Sequence, residues 1–367
     1  MKKLRIILLV LSLSFLSSAQ ELKWDTGLDF FFDNTEFSRS RLAIDQTMTG
    51  VRLSQEIGWM FDENHSILGG ISAQRSLATS DFTDKIDLMA YYQLKDENTL
   101  FKAGAFKRSN LLDDYSNFFF QDSIGYYKQT IEGLYLRKGD DRQFFKLWLD
   151  WTGLQSETER ESFFIGASAY KEFGKLFFAD FQSYMYHFAT TRPNPNHLSV
   201  SDNLLGQLSV GVDYSNKRGL NKLKLSAGVL AGYERDRHFM DDFKTPIGLV
   251  IRADAEYRRF GIENLFYYGQ KRMTLYEQYG NQLYWATPFL RSSDYLQNKL
   301  YWNAIDTKHV KGQLSMKTHV SEGSVYFEQV FTLNASINND RPKVTRQPNI
   351  WERLFPRRSQ SKDDIMM

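Results

Sequence analysis

The sequence predicts an all-β chain that forms an antiparallel transmembrane β-barrel of about 16 strands, and about 14–18 strands are compatible with the pattern. Three observations lead to this prediction: an apolar leader at the N-terminus, regular alternation of apolar and polar residues along most of the chain, and connections that alternate between short and long. Because successive side chains of a strand point to opposite faces, such alternation gives a sheet one apolar face and one polar face.

The first 19 residues have the three parts of a secretory signal peptide. A basic start is followed by an apolar run over residues 6–16, and small residues then lead to a cleavage site after Ala19. A lone membrane anchor is the alternative, but the apolar run is short for a membrane span. The chain contains no cysteine, so it carries neither disulfides nor a lipid-modified N-terminal cysteine.

The composition fits a barrel that meets lipid on one face. Of the 367 residues, 15% are aromatic, with 29 Phe and 20 Tyr, and only 7 are Pro. The mean hydropathy is −0.47, and after the leader no apolar run approaches the ~20 residues of a transmembrane helix. A transmembrane barrel is hydrophilic on average because only alternate residues face lipid, and aromatic girdles enrich its interfaces. A secreted sandwich or propeller shares this composition, so the pattern along the chain decides.

The clearest strand pattern is IRADAEYR at residues 251–258. Its apolar set is Ile251, Ala253, Ala255 and Tyr257, and its charged set is Arg252, Asp254, Glu256 and Arg258. A soluble sheet with one buried face would explain one such stretch. In a barrel wall the apolar set would face lipid and the charged set a watery lumen. The same reasoning predicts strands over residues 23–33, 48–61, 66–77, 85–95, 99–108, 128–138, 142–153, 162–173, 176–189, 204–215, 222–235, 247–259, 262–273, 293–304, 309–319 and 324–337.

The connections between these strands fall into two classes. The short ones are rich in turn-forming residues and lie at 62–65, 95–98, 138–141, 174–175, 216–221, 260–261 and 306–309. The long ones alternate with them, at 34–47, 78–84, 109–127, 154–161, 190–203, 236–246 and 274–292, and only the last, at 321–323, is short. Short periplasmic turns and longer extracellular loops are typical of outer-membrane barrels, whereas sandwiches and propellers do not require two classes.

The chain resembles a bacterial outer-membrane porin-like β-barrel over residues 20 to about 337. The resemblance rests on the signal peptide, the absence of cysteine, the alternating strands and the alternating loop lengths. The resemblance implies a signal peptide at 1–19, a transmembrane barrel at 20–337 and a basic periplasmic tail at 338–367. It also implies a location in the outer membrane of a Gram-negative cell, with the lipid bilayer as the surrounding partner. One departure is that many such barrels end on a final aromatic strand residue, whereas this chain continues beyond its last strand.

The charges predicted to line the lumen balance in sign. They are Arg52, Glu56, Asp87, Lys102, Lys146, Asp150, Asp180, Asp213, Lys224, Arg252, Asp254, Glu256, Arg258, Lys317 and Glu328, together with Lys222, Glu234 and Lys299. Sixteen strands leave room for an aqueous channel, and a ring of one sign would predict ion selectivity. We therefore expect passive diffusion of small hydrophilic solutes with little charge selectivity, or charge pairs that stiffen the wall.

Loop 109–127 is a candidate constriction that folds into the lumen. Its candidate site residues are Asp113, Asp114, Phe118, Phe119, Phe120 and Tyr126. The alternative is an extracellular loop that packs its aromatic rings on the barrel rim, and loop 274–292 allows the same two interpretations. The acidic loop 236–246 lacks the ligand spacing of a calcium loop, so no metal and no cofactor are predicted.

The tail segment 341–362 carries seven Lys or Arg and one Glu. Trp351, Leu354 and Phe355 are candidates for contact with a periplasmic or envelope protein, and a disordered polar tail is the alternative. A second function follows from this segment: a non-conducting scaffold of an envelope secretion or uptake complex, docked through outer loops and tail. An open lumen would favour the channel, and a lumen filled by loop 109–127 would favour the scaffold.

The sequence does not predict an enzyme. Its six histidines are scattered, and it contains no H-E-x-x-H, G-x-S-x-G or phosphate-binding G-x-x-x-x-G-K motif. Catalytic groups can still meet across barrel strands, as in outer-membrane phospholipases, and His187 or His319 beside a serine or aspartate would be the place to look. No nucleic-acid role is expected, because the barrel lacks a basic stripe interleaved with stacking aromatic residues.

Overall fold

The computed structural model describes residues 21–216 and 219–339, and in them sixteen antiparallel strands close into one barrel. Each strand pairs with its neighbours in sequence, and β1 pairs with β16 to close the sheet. The predicted fold class and strand number are confirmed. The strands are β1 Glu21–Glu36, β2 Gln46–Met60, β3 His65–Ser76, β4 Lys85–Lys95, β5 Thr99–Lys107, β6 Thr130–Gly139, β7 Gln143–Gly153, β8 Ser162–Phe173, β9 Phe177–Phe188, β10 Ser201–Asp213, β11 Lys222–Asp236, β12 Ile247–Tyr257, β13 Phe260–Gly269, β14 Asp294–Asp306, β15 Val310–Ser321 and β16 Ser324–Asn338.

The barrel has two different ends. The turn end carries residues 21 and 338 and short connections such as 258–259, and the loop end carries connections such as 108–129 and 270–293. The last connection at the loop end is only the two residues between β15 and β16. Trp351, Leu354 and Phe355, like the predicted signal peptide, lie outside the described residues.

Helices occur only as short segments in the long connections of the described chain. They are α1 Asp122–Tyr127, α2 Tyr276–Tyr279 and the 3-10 turns Gly280–Gln282 and Pro288–Arg291. Within residues 21–216 and 219–339, no helix combines the length and the apolar character needed to cross a membrane.

The outside of the barrel is apolar and its wall alternates as the sequence predicts. In β12, Leu249 and Tyr257 point outward and are 45% and 51% exposed, whereas Val250 and Asp254 point inward and are only 1% and 3% exposed. This is the reverse of a soluble protein, which places polar residues outside. The wall therefore presents an apolar face to its surroundings and a polar face to its interior.

The interior at the loop end is filled by side chains of the two longest connections. Phe118 and Phe119 from connection 108–129 are fully buried, and Trp285 from connection 270–293 is 3% exposed. They belong to one cluster with inward-facing aromatic residues of the wall, such as Tyr184 and Tyr267. Each large side chain buried in this way contributes about 1.5–3 kcal/mol. The two connections therefore form an apolar plug inside the barrel, and do not pack on its outer rim.

Candidate functional site

The predicted lumen residues lie on the inner face of the wall, with one exception. The buried ones are Arg52, Glu56, Lys146, Asp150, Asp254, Lys317 and Glu328. The partly buried ones are Asp87, Lys102, Asp180, Asp213, Lys224, Arg252 and Glu256. Arg258 is the exception, and its prediction was wrong: β12 ends at Tyr257, and Arg258 lies in the exposed turn 258–259 with a φ of 56°. Its charge continues the alternation, but its backbone already reverses direction.

Most inward charges neutralise each other across the wall. Lys224 contacts Asp213 at 2.8 Å, and Lys222 contacts the buried Asp254 at 2.9 Å. Both pairs join β11 to a neighbouring strand: Lys224 and Asp213 are directly opposed, and Lys222 reaches Asp254 diagonally, as long side chains can in an antiparallel sheet. The inward charges whose signs balance in the sequence are therefore mostly joined in ion pairs. Such pairs stiffen the wall and leave little net electric field in the lumen.

Ion pairs also anchor connection 108–129 inside the barrel. Asp114 accepts hydrogen bonds from Lys146 Nζ at 2.7 Å and from Ser168 Oγ at 2.5 Å. The buried Arg108 forms an ion pair with Asp150 on β7. Polar groups buried beside an apolar plug need such partners, because an unpaired one costs about 1–3 kcal/mol.

The other predicted constriction residues divide between the plug and the cavities beside it. Phe120 packs against Trp148, with ring centroids 6.1 Å apart, and so joins the buried Phe118 and Phe119. Tyr126 stacks on Phe31 at 4.4 Å, and burial raises the pKa of its phenol. Asp113 faces the lumen cavities, and desolvation there raises the pKa of its carboxyl group.

A group of charged side chains that the sequence interpretation did not bring together lies where α1 touches the wall. This charged cluster consists of Asp33 on β1, Asp122 on α1, Lys317 and His319 on β15, and Glu328 on β16. Barrel closure places β1, β16 and β15 side by side, with Lys317 directly opposite Glu328. Asp122 then reaches the same point because the plug carries α1 inward. The sequence had indicated Lys317, Glu328 and His319 one by one, and the signal that was missed is Asp33, the inward carboxylate that directly follows three phenylalanines at 30–32.

Lys317 is the centre of the charged cluster. Its ammonium group forms an ion pair with Asp122 and lies 2.6 Å from Glu328 Oε1. His319 Nε2 lies 2.8 Å from Glu328 Oε2, and His319 Nδ1 lies 2.8 Å from the Tyr295 hydroxyl. The side chains therefore form a continuous chain from Tyr295 to Asp122 across three strands and the plug.

Three carboxylates of the cluster have the donor set of a divalent cation site. Oxygens of Asp33, Asp122 and Glu328 lie within 4.8 Å of one another, and carboxylate oxygens are the ligands that Ca²⁺ and Mg²⁺ prefer. The Lys317 ammonium already bonds two of the three, so a metal ion would have to lie beside a positive charge. The arrangement fits a charge-compensated seal between plug and wall better than a metal centre.

The two histidines singled out in the sequence each meet a carboxylate on a neighbouring strand. His319 meets Glu328 inside the barrel, and His187 Nδ1 lies 2.9 Å from Asp202 on the outer face of β9 and β10. A histidine oriented by a carboxylate is the base-and-orienter pair of many hydrolases. Within residues 21–216 and 219–339, however, no serine or threonine hydroxyl bonds to either histidine.

Three cavities follow the inner wall from one end of the barrel to the other. The outer pocket, of about 240 Å³, lies against the charged cluster at the loop end. The middle cavity, of about 440 Å³, lies below α1, and the vestibule, of about 630 Å³, lies at the turn end. Outer pocket and middle cavity share Gln121 and Asp122, whereas middle cavity and vestibule share Asp29, Ser109, Asp113 and Asn334. Asp122, which forms an ion pair with Lys317, thus lies between the outer pocket and the middle cavity.

Solved structures with a similar fold are outer-membrane proteins. OmpT of Vibrio cholerae, an outer-membrane protein solved with loop L8 deleted, matches 87% of this chain and 100% of its own, with a TM-score of 0.51 and 9% identity. The anion-selective porin of Comamonas acidovorans matches 88% of this chain and 100% of its own, with a TM-score of 0.51 and 9% identity. This likeness is one of fold, and it confirms the predicted resemblance to a porin-like barrel. No curated protein matches the chain.

Sequence comparison with protein families gives a more specific relationship. The family described as Lipid A 3'-O-deacylase-type matches residues 16–338. The matched segment contains all sixteen strands, the plug and the charged cluster. The chain therefore belongs to the lipid A 3'-O-deacylase-type family.

Proposed function

We propose that the protein is an outer-membrane porin-like channel through which small hydrophilic solutes diffuse passively, with little charge selectivity and without catalysis. The apolar outer face supports the location, because lipid contact requires a wall without unpaired polar groups. By this proposal the turn end faces the periplasm and the loop end faces outward. The wall of ion pairs supports weak selectivity, since opposite charges in contact leave little net field for a passing ion.

The observation that carries the proposal is the series of three cavities along one wall. They adjoin the plug at every level, and each shares lining residues with the next. The outer pocket, at about 240 Å³, limits the route to small solutes. The ion pair of Asp122 with Lys317 then acts as the narrow point that a solute has to pass.

Single-channel conductance of the refolded mature protein in a planar bilayer tests the proposal, with and without residues 338–367. We expect steps well below those of an open 16-strand barrel, because the plug fills the loop end, and reversal potentials close to zero in a salt gradient. The tail is expected to change the steps little. If the barrel is folded but neither the full mature protein nor the form without residues 338–367 conducts, the channel proposal is contradicted.

A non-conducting scaffold of an envelope secretion or uptake complex is the alternative that the filled loop end supports. Phe118, Phe119 and Trp285 close most of the lumen there with apolar contacts. Partner docking would use the outer loops and the tail, which includes Trp351, Leu354 and Phe355. Closed barrels with and without the tail, together with a bound envelope protein in pull-down experiments, would support this alternative.

Hydrolysis of an acyl ester in lipid A is a second candidate function, favoured by the family relationship and by the charged cluster. His319 and Glu328 lie against the outer pocket, at the end that would meet the outer leaflet. Both ring nitrogens of His319 are engaged, so a water molecule would have to serve as nucleophile after rearrangement of Tyr295 or Glu328. The outer-face pair of His187 and Asp202 is the other place where a base could act.

Fatty-acid release from lipid A in vesicles distinguishes the catalytic candidates. Mass spectrometry of the lipid after incubation with the mature protein would show whether an acyl chain is lost. If the H319Q variant no longer removes an acyl chain from lipid A and the H187Q variant still does, the reaction is assigned to the charged cluster. Intact lipid A after long incubation with a correctly folded barrel would remove this candidate and leave the channel.

A further inference from the structure

We propose that the vestibule at the turn end binds small multivalent anions. It has a volume of about 630 Å³ and is lined by more basic than acidic side chains. The site is independent of conduction, because it requires only that the vestibule be reached from the turn end. Its six lysines are Lys23, Lys95, Lys102, Lys107, Lys308 and Lys311.

Four carboxylates line the vestibule, and each has a partner: Asp25, Asp29 and Glu56 contact lysine or other groups of the wall, and Asp113 accepts a hydrogen bond from the Asn110 backbone N–H. Lys107 Nζ lies 2.7 Å from Glu56 and 2.9 Å from Asp25. The other oxygen of Glu56 accepts a hydrogen bond from the Tyr91 hydroxyl at 2.5 Å. Asp29 accepts a hydrogen bond from Asn334 at 2.8 Å. The lining therefore carries six lysines against four carboxylates, and none of these four forms an ion pair with Lys102, Lys308 or Lys311.

Lys102 is the ammonium group that most clearly lacks an anionic partner. It is partly buried on the inner face of β5, with Nζ 4.9 Å from the Tyr91 ring centroid and 5.5 Å from that of Phe106. Within residues 21–216 and 219–339 it forms no ion pair. The two rings are a partial substitute for a carboxylate, because their faces attract a cation. A positive charge held in a cavity without its counter-ion is a preformed anion contact.

Two further lysines carry the same charge to the mouth of the vestibule. Lys308 lies in the turn between β14 and β15 and Lys311 lies near the start of β15; both are exposed and form no ion pair with any described residue. Long flexible lysines at a mouth raise the local concentration of anions before they reach an inner contact. The vestibule therefore presents lysine ammonium groups both at its mouth, from Lys308 and Lys311, and at its inner wall, from Lys102.

The chemistry of lysine indicates which anions are bound. An ammonium group is a point charge without the planar fork of arginine, and no arginine is among the described residues that line the vestibule. Such a site recognises the number of charges and not the shape of one carboxylate or phosphate. Dianions and trianions should thus bind more tightly than monoanions. The tail segment 341–362 is a poor occupant, because it carries seven Lys or Arg and one Glu.

Isothermal titration of the full mature protein in neutral detergent micelles tests this site with citrate, succinate, inorganic phosphate and acetate. We expect affinity to fall in that order of charge and to weaken when the ionic strength is raised to about 0.3 M. Lys102→Met keeps most of the apolar stem and should weaken citrate binding at least about tenfold, since hydrogen bonds to charged groups are the strong ones. Lys171→Met is the matched control, a lysine 5.5 Å from the Phe173 ring but outside the vestibule, and should bind citrate like the parent protein.

Several outcomes would overturn the site. Equal affinity for acetate and citrate, or undiminished citrate binding by a folded Lys102→Met variant, would contradict recognition by charge at Lys102. If that variant fails to fold, a double variant at the exposed Lys308 and Lys311, both changed to Gln, should still weaken citrate binding severalfold. Binding that appears only after removal of residues 340–367 would assign the vestibule to the tail. A barrel that conducts but binds no citrate would lose this site and keep the channel, and a closed barrel that binds citrate would do the opposite.

Discussion

Replacing Lys317 by Met should both destabilise the barrel and open its narrow point. Lys317 is 3% exposed and bonds Glu328 at 2.6 Å as well as Asp122. Met retains the apolar stem but not the ammonium group, so the oxygens of Asp33, Asp122 and Glu328, within 4.8 Å of one another, would lose the cation between them. The variant therefore isolates the charge from the packing.

The expected loss of stability is about 3–5 kcal/mol, the usual cost of leaving buried charge without its partner. The mutual repulsion of the three carboxylates acts in the same direction. Only Asp122 can move away, because it lies on α1 of the plug, whereas Asp33 and Glu328 are fixed in paired strands. Displacement of Asp122 would separate α1 from the wall between outer pocket and middle cavity.

Two measurements follow from this displacement. The free energy of unfolding in urea, measured in detergent or lipid vesicles, should fall by the stated amount, and single-channel steps should become larger. The double variant Lys317→Met/Glu328→Gln removes one carboxylate together with the cation. It should recover much of the lost stability, because a neutral replacement of a buried pair costs far less than a broken one. Lys171→Met, on the outside of the barrel, should leave both quantities unchanged.

The reasoning would be refuted by a single variant whose stability lies within about 1 kcal/mol of the parent protein. It would also be refuted if the double variant were less stable than the single one. Unchanged conductance with a large loss of stability would keep the electrostatic argument but remove Asp122 as the narrow point of the route.

Three further predictions concern the plug and the wall. Phe119→Ala should lower the free energy of unfolding by about 3–5 kcal/mol and increase protease cleavage within connection 108–129; a loss below about 1 kcal/mol would mean that the plug does not depend on its aromatic core. Asp150→Ala should cost about 3–5 kcal/mol by leaving Arg108 unpaired, measured by urea unfolding, and less than that in the double variant Arg108→Met/Asp150→Ala. Leu249→Arg should cost about 2–4 kcal/mol in vesicles if β12 faces lipid, whereas Arg258→Leu in the turn should change stability little; equal effects would contradict the membrane orientation.

The wall was predictable because its rule is local. Alternation has a period of two, so the seven residues 251–257 of β12 suffice to show which side chains share a face. The alternation rule wrongly placed Arg258 in the lumen. Arg258 and Arg259 are both polar, and a polar residue is as common in a tight turn as at a lumen-facing position of a strand. The φ of 56° that ends the strand there is a backbone property without a hydrophobic signal.

The charged cluster as a whole was not predictable because Asp33 and Asp122 are far in the sequence from Lys317, His319 and Glu328. Asp33 and Glu328 approach one another only when β1 pairs with β16, the final step of barrel closure. Asp122 depends in addition on the inward fold of connection 108–129, for which the sequence offered two interpretations. Aromatic residues such as Phe118 and Phe119 fit a rim or a plug equally well, and only the width of the closed barrel decides between them.

The plug changes what the balanced charges of the lumen mean. In an open barrel, equal numbers of inward acids and bases would face water and act on passing ions at a distance. Here the plug brings its own acids, Asp114 and Asp122, to lysines of the wall at Lys146 and Lys317. Loop position and lumen electrostatics are therefore linked, because these two ion pairs both neutralise the wall and hold the plug. Any ligand or substitution that takes one of these lysines from the plug would loosen the plug and charge the lumen at the same time.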